Sequence, residues 1–223
     1  MHLSEHLPTE NSRNYALRIL KENIVNLELP PGSLVSESEL AAQMGLSRTP
    51  IREALIELSK VKLVEIVPQK PSKICCINYD LVEESLFLRK LLECSIVETA
   101  CSKVSLVDLA RLEENIQLQK FYLERNSYAQ LMLMEQMFHS TIFEIAHKSQ
   151  TYAVIQDFSI HFERVYRMEQ EPFKDYTLVE DHCVILKAIR ENQPDLAHAL
   201  MDIHLTRYKV NEASIRRKHP EFF

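Results

Sequence analysis

Two groups of side chains in this sequence have types and spacings suited to chemistry. The first lies in Ser47-Arg48-Thr49-Pro50-Ile51-Arg52, where two arginines and a threonine open an amphipathic run. At the N-terminal end of a helix, arginine can grip guanine edges or phosphates, and threonine can do either. The second group is Glu135 and His139, four apart and so on one face of a helix expected over 128–147, with His182 and His204 on two later helices. One carboxylate and three imidazoles facing inward suit Zn²⁺ or a similar borderline ion, with Ni²⁺, Mn²⁺ or Fe²⁺ as alternatives, and leave room for water or a ligand. Taken singly, a histidine is more often a surface or hydrogen-bonded core residue than a ligand. With nine histidines in the chain, some i,i+4 pairing is expected by chance.

The elements that position the first group read directly from residues 32–58. Ser36 stands as an N-cap with Glu39 completing a capping-box pattern, so a helix starts near Glu37. Leu40, Ala41 and Met44 form its apolar stripe, and Gly45 follows its last turn, where a positive φ ends a helix. Ser47 caps the next helix and Pro50 sits in its first turn, while Ile51, Ala54, Leu55 and Leu58 face inward. This is a helix-turn-helix, with Arg48, Thr49 and Arg52 pointing outward. A first helix from about Thr9 to Leu27 packs behind it. After it, Leu63–Val67 and Ile74–Ile77 read as two short strands separated by Pro68-Gln69-Lys70-Pro71-Ser72, which makes a two-stranded wing. Lys60, Lys62, Lys70 and Lys73 cluster there as phosphate contacts would require, although any single one reads equally as a solvated strand edge.

From Asp80 onward the pattern is helix after helix, at 80–102, 105–126, 128–147, 150–169, 174–191 and 194–215, with breaks at Ser105, Asn126, Ser149, Pro172 and Pro194. The fold class is therefore mostly α: a winged helix-turn-helix over residues 1–78, then an all-helical bundle of six to seven helices over 79–223, with Arg216 to Phe223 as a tail. A bundle of this size has room for a ligand between its helices.

Composition excludes several classes. The only glycines, Gly32 and Gly45, both fall in or beside the helix-turn-helix, so the chain lacks the turn chemistry of a β-rich or dinucleotide-binding fold. Five cysteines without C-x-x-C spacing read as reduced thiols, and His182-Cys183 is discounted as a ligand pair because helix neighbours point to different faces. No apolar run reaches membrane-span length and the first ten residues hold no signal-peptide core, so a soluble cytoplasmic protein is expected. The net charge of −6 is unevenly divided: residues 10–78 carry +1 and residues 79–223 carry −6, so the acidity lies away from the nucleic-acid motif.

The run L-A-x-x-x-G-x-S-R-T-P-x-R-E-A-L, at Leu40 to Leu55, closely resembles the DNA-binding helices of the GntR family of bacterial transcription regulators. The helical part is similar to the FCD effector domain of that family's FadR-type branch. The resemblance implies a homodimer that binds double-stranded operator DNA through Ser47, Arg48, Thr49, Arg52, Lys70 and Lys73. It also implies a metal held by Glu135, His139, His182 and His204, with glutamate in the place of the family's aspartate. Arg89 matches an arginine that relatives direct into the pocket, where it suits a small carboxylate effector; a salt bridge to Glu93 at i,i+4 is the other reading. The wing lacks the family's glycine, which leaves minor-groove insertion open. Three functions compete: a ligand-responsive regulator, a regulator with a purely structural metal, and a metallohydrolase with an accessory DNA-binding domain. No H-E-x-x-H motif supports the last.

Overall fold

The computed structural model describes residues 1–168, 176–207 and 212–223. It divides into two compact units, neither continuous in sequence. One comprises Met1–Glu83 with Phe158–Gln170 and Val210–Phe223, and the other Glu84–Asp157 with Glu171–Lys209.

The first unit is built on α1 (Ser12–Val25), α2 (Glu37–Met44) and α3 (Arg48–Lys60). Asn11 starts α1 by accepting from the Asn14 amide at 2.9 Å, which places its start later than the expected Thr9. Ile19, Leu20 and Ile24 of α1 and Ile51, Leu55 and Leu58 of α3 are sealed from solvent in one core. Removing these apolar faces from water is what holds three short helices together, at about 25 cal/mol per Å² buried. Gly45 closes α2 at φ 64°, as its place after the last turn required. Two capping expectations fail, however. Ser36 and Ser47 occupy the N-cap positions without a side-chain bond to the first turn, and the Ser36 hydroxyl instead meets that of Ser38 at 2.8 Å.

The wing has one more strand than the two expected. β1 (Leu34–Val35) and β2 (Val64–Glu65) both pair antiparallel with a central β3 (Ser72–Ile74), in register Leu34↔Lys73 and Val64↔Ile74. β1 is two residues long, too short to show alternation. At the wing tip Pro68 precedes Gln69 at φ 61°, and the Lys70 amide donates to the Val67 carbonyl at 3.2 Å. Proline followed by a left-handed residue is the pattern of a type II turn. The glycine-free wing therefore closes with Gln69 in the position that glycine ordinarily fills.

The remaining helices are α4 (Tyr79–Cys101), α5 (Leu106–Glu124), α6 (Tyr128–Ile145), α7 (Ser149–Met168), α8 (Tyr176–Arg190), α9 (Pro194–Thr206) and α10 (Glu212–Lys218). The expected break at Pro172 lies outside the described residues. In the second unit α5 packs against α6 and α8, and α8 against α9, around Leu112, Ile116, Phe138, Ile142, Ile185, Ile189 and Met201. A capping box at Ser105 and Asp108, absent at Ser36, is made here and starts α5. The expected tail is a correction. Residues 212–218 form α10, Pro220–Phe222 forms a 3₁₀ turn, and Ile215 is fully buried. Ile215 is the only apolar residue between Glu212 and His219 apart from Ala213, so no helical stripe is readable there.

Candidate functional sites: a histidine cluster and a basic helix end

The helical unit brings Glu135, His139, His182 and His204 together. Glu135 and His139 come from successive turns of one face of α6, His182 from α8 and His204 from α9, and all four are buried. The Nε2 atom of His204 lies 3.2 Å from that of His139 and 3.3 Å from that of His182. Glu135 Oε1 is 3.3 Å from His139 Nε2. A zinc ion bound tetrahedrally at about 2.0–2.1 Å sets its ligand atoms about 3.3 Å apart. The three histidines therefore form a metal-capable cluster with spacings that suit such an ion, and Glu135 stands beside His139 at its edge.

Their orientation is fixed from behind, by residues the sequence reading did not assign to the site. Met134 O, which can only accept, takes a hydrogen bond from the Asn115 side-chain amide at 3.0 Å. The Asn115 oxygen must then accept from Gln119 Nε2 at 2.7 Å, which turns the Gln119 oxygen toward His182 Nδ1 at 2.8 Å. His182 thus carries its proton on Nδ1 and directs the Nε2 lone pair to the centre. Phe138 stacks on the same ring at 4.0 Å and 18°. His139 Nδ1 forms a close ion pair with Glu93, and His204 Nδ1 faces Asp181 Oδ2 at 3.5 Å. Carboxylate or amide partners behind ligating histidines are the usual device for setting tautomer and ring angle.

The electrostatics follow from burial and from these partners. Burial works to raise the Glu93 carboxyl and to lower the His139 ring. Against it, Arg89 and His139 bring Glu93 down to about 2, while Glu93 and Glu135 bring His139 up to about 9. His182 is pushed well below the usual histidine range by burial and then by the neighbouring His204 and His139; His204 is lowered chiefly by burial. The cluster thus holds two neutral rings beside one cationic ring, whose central proton occupies the place a dication would take.

Arg89 is where its alternative reading put it. Its Nε donates to Glu93 Oε1 at 2.7 Å, and its Nη2 lies 3.5 Å from Glu135 Oε1. The guanidinium is buried between two of the protein's own carboxylates, beside the cluster.

In the other unit Ser47, Arg48, Thr49 and Arg52 are exposed at the start of α3. A cleft of 510 Å³ runs between this helix end and the wing, lined by Glu37, Arg48, Arg52, Gln69 and Lys70 among others. Lys73 lies on β3, opposite Leu34 and Glu65. Glu37, which the sequence reading used only to mark a helix start, grips both arginines. Its carboxylate takes Arg52 Nε at 3.0 Å and Nη2 at 2.9 Å in a fork, and Arg48 Nη2 at 3.0 Å. These contacts outweigh partial burial and lower the Glu37 carboxyl from its ordinary value. Lys60 pairs with Glu57 at 2.9 Å.

The buried Glu93 answers both Arg89 and His139, so its removal leaves two cationic groups in a dry interior with Glu135, at 3.5 and 3.3 Å, as the other carboxylate beside them. Breaking a buried ion pair by losing one partner costs about 3–5 kcal/mol. Glu93→Ala is expected to lower urea stability by about 3 kcal/mol at neutral pH, read from the denaturation midpoint. A change below about 0.5 kcal/mol would show that the pairing does not organise the core.

Comparison with known proteins shows which families the two regions resemble. Residues 14–74 match the family model described as bacterial regulatory proteins, gntR family, and residues 84–207 match the FCD domain. The HTH-type transcriptional repressor RspR of Escherichia coli K12 is 27% identical over 217 residues, covering 97% of this chain and 95% of the relative. An uncharacterised HTH-type regulator of Streptomyces ambofaciens is 28% identical over 215 residues, covering 96% and 89%. Among solved structures, E. coli McbR/YncC superposes with a TM-score of 0.79 at 20% identity, over 95% of this chain and 100% of that one. A GntR regulator from Rhodococcus sp. RHA1 superposes at 0.70 and 19%, over 91% and 96%. No described helix is long and apolar enough to cross a membrane. With a helix-turn-helix and a histidine-bearing helical unit matched end to end, the chain belongs to the GntR family of bacterial transcription regulators, in its FCD-domain branch, and not to a family of enzymes.

Proposed function

We propose that this protein is a cytoplasmic, ligand-responsive repressor. In this reading it binds a palindromic operator as a homodimer and senses a small organic acid at a divalent metal in its helical domain. The observation that carries the DNA half is the exposed Arg48, Thr49 and Arg52 at the start of α3, facing a cleft whose far wall is the wing with Gln69 and Lys70. The N-terminal end of a recognition helix is the part that enters the major groove. Ser47 and Lys73 supply phosphate contacts at the edge of that surface. Glu37 holds the two arginines in fixed positions before DNA arrives, which reduces the ordering cost of binding. Repression follows the printed role of RspR.

The metal half rests on the spacing of His139, His182 and His204, with their rings already turned inward, and Glu135 beside His139 is the proposed fourth ligand. When bound, a metal ion of the zinc type supplies a Lewis-acidic anchor for a carboxylate. Arg89 stands beside it to receive the second charge. The effector would bias the placement of the DNA-binding domains, residues 1–78, carried by the helical domain, residues 79–223. A second reading, a purely structural metal, draws support from Arg89 being held by Glu93 and Glu135.

The DNA assignment is tested with the duplex that the wild-type protein selects from a random-sequence library. Each good bidentate arginine contact is worth about 1–3 kcal/mol. The double variant Arg48→Ala, Arg52→Ala should therefore bind that duplex at least about 30-fold more weakly while keeping its helical content. Undiminished affinity would remove the groove assignment. Sensing and structural metal are separated by titrating the zinc-loaded protein with a panel of small mono- and dicarboxylates, with and without chelator. Saturable binding lost on chelation is expected, whereas no binding in either state supports the structural reading.

A further inference from the structure

The link between the two family-matched regions, residues 75–83, and the segment 212–223 both lie outside the matched regions, yet they are packed on one another within the first unit. The Ile77 amide donates to the Phe222 carbonyl at 2.8 Å, and Ile77 is buried, so without that carbonyl an inward amide would go unsatisfied. Tyr79, the first residue of α4, stacks with Phe223 at 6.0 Å and 21°. The Arg216 guanidinium lies over both rings, 4.3 Å from the Phe223 centroid and 5.9 Å from that of Tyr79, and is steadied by Glu212 at 2.6 Å. His219 stacks on Phe222 at 5.3 Å, and its amide donates to the Ile215 carbonyl, so the segment is ordered by its own contacts as well.

The segment is also tied in sequence to the histidine cluster. It follows α9, which carries His204, and the α9 cap residue Arg207 lies 3.3 Å from Asp181 Oδ2, the same oxygen that faces His204 Nδ1. His204 and Arg207, at the end of α9, thus face one carboxylate oxygen.

We propose that residues 212–223 form a clasp that closes over Ile77 and Tyr79 and immobilises the linker to the DNA-binding domain. We further infer that the clasp couples the state of the His204 helix to operator affinity, and this second step rests on the metal-site reading above. A tethered domain whose linker is held has fewer placements to lose on binding, so clasp closure changes the effective concentration of one DNA-binding domain for its half-site. The contacts between the clasp and the linker include one backbone hydrogen bond and the Tyr79–Phe223 stack with the Arg216 guanidinium against both rings, while Ile215 anchors the segment.

The test uses the full chain. In the double variant Arg216→Ala, Phe223→Ala, hydrogen exchange at the Ile77 amide should accelerate at least about tenfold, while amides of α3 and α6 keep wild-type protection. Phe223→Tyr, which retains the ring, should leave Ile77 protected. Unchanged Ile77 exchange in the double variant would overturn the clasp. In the same proteins, the ratio of affinities for the selected duplex with and without added Zn²⁺ should fall toward one when the clasp is opened. Persistence of the wild-type ratio with Ile77 freely exchanging would overturn the coupling. A wild-type ratio of one would instead overturn the metal-site reading together with the coupling, and the exchange result alone would then decide the clasp.

Discussion

The arrangement of the helical unit depends on where a few protons sit. A histidine can present a lone pair to a shared centre only if its other nitrogen holds the proton, and three such rings will not converge unless each has a partner behind it. The run from Met134 O through Asn115 and Gln119 to His182 imposes that choice on one ring, and Glu93 imposes it on another. The outer layer therefore does more than decorate the cluster. It holds three buried imidazoles with their Nε2 atoms 3.2–3.3 Å apart, a spacing at which converging lone pairs are tolerable only around a shared proton or a cation.

The same economy of charge governs the other unit. Glu93 is shared by Arg89 and His139 inside the bundle, and Glu37 is shared by Arg48 and Arg52 on the surface. The consequences differ with solvent. The buried carboxylate, with Glu135 beside it, answers cations that water does not reach, whereas the surface one is screened by water and acts mainly on orientation. An exposed arginine pair already held in register suits a surface that must meet a fixed pattern of base edges. The acidic balance of residues 79–223 keeps that basic surface distinct from the rest of the chain.

The helix-turn-helix was legible because its determinants are local: an apolar stripe, a left-handed Gly45 and a proline in the first turn lie within one short stretch. The inward-facing Glu135, His139, His182 and His204 were legible because metal-ligating side chains are few and the family pattern spaces them. Asn115 and Gln119 were not, since polar residues among Leu112, Ile116 and Leu123 look like noise in a stripe until the facing ring is known. Asp181 was hidden for a related reason, and Glu93 was legible only as the i,i+4 partner of Arg89: carboxylates abound, and only packing shows which are buried. β1 was missed because two residues carry no periodicity. Residues 216–223 read as a tail because their order comes from stacking on a distant linker and not from their own amphipathicity.

The claim on which the account turns is that His139, His182 and His204 present their Nε2 atoms to one centre with their Nδ1 protons held from behind. Long-range ¹H–¹⁵N correlation spectra of the histidine rings in the zinc-loaded protein read this directly, since protonated, free and metal-bound ring nitrogens have separate shifts. The expected result is three rings with Nδ1 protonated and Nε2 metal-bound, reverting to a spectrum without metal-shifted nitrogens on chelation. A proton on Nε2 of any of the three in the presence of excess zinc would contradict the account.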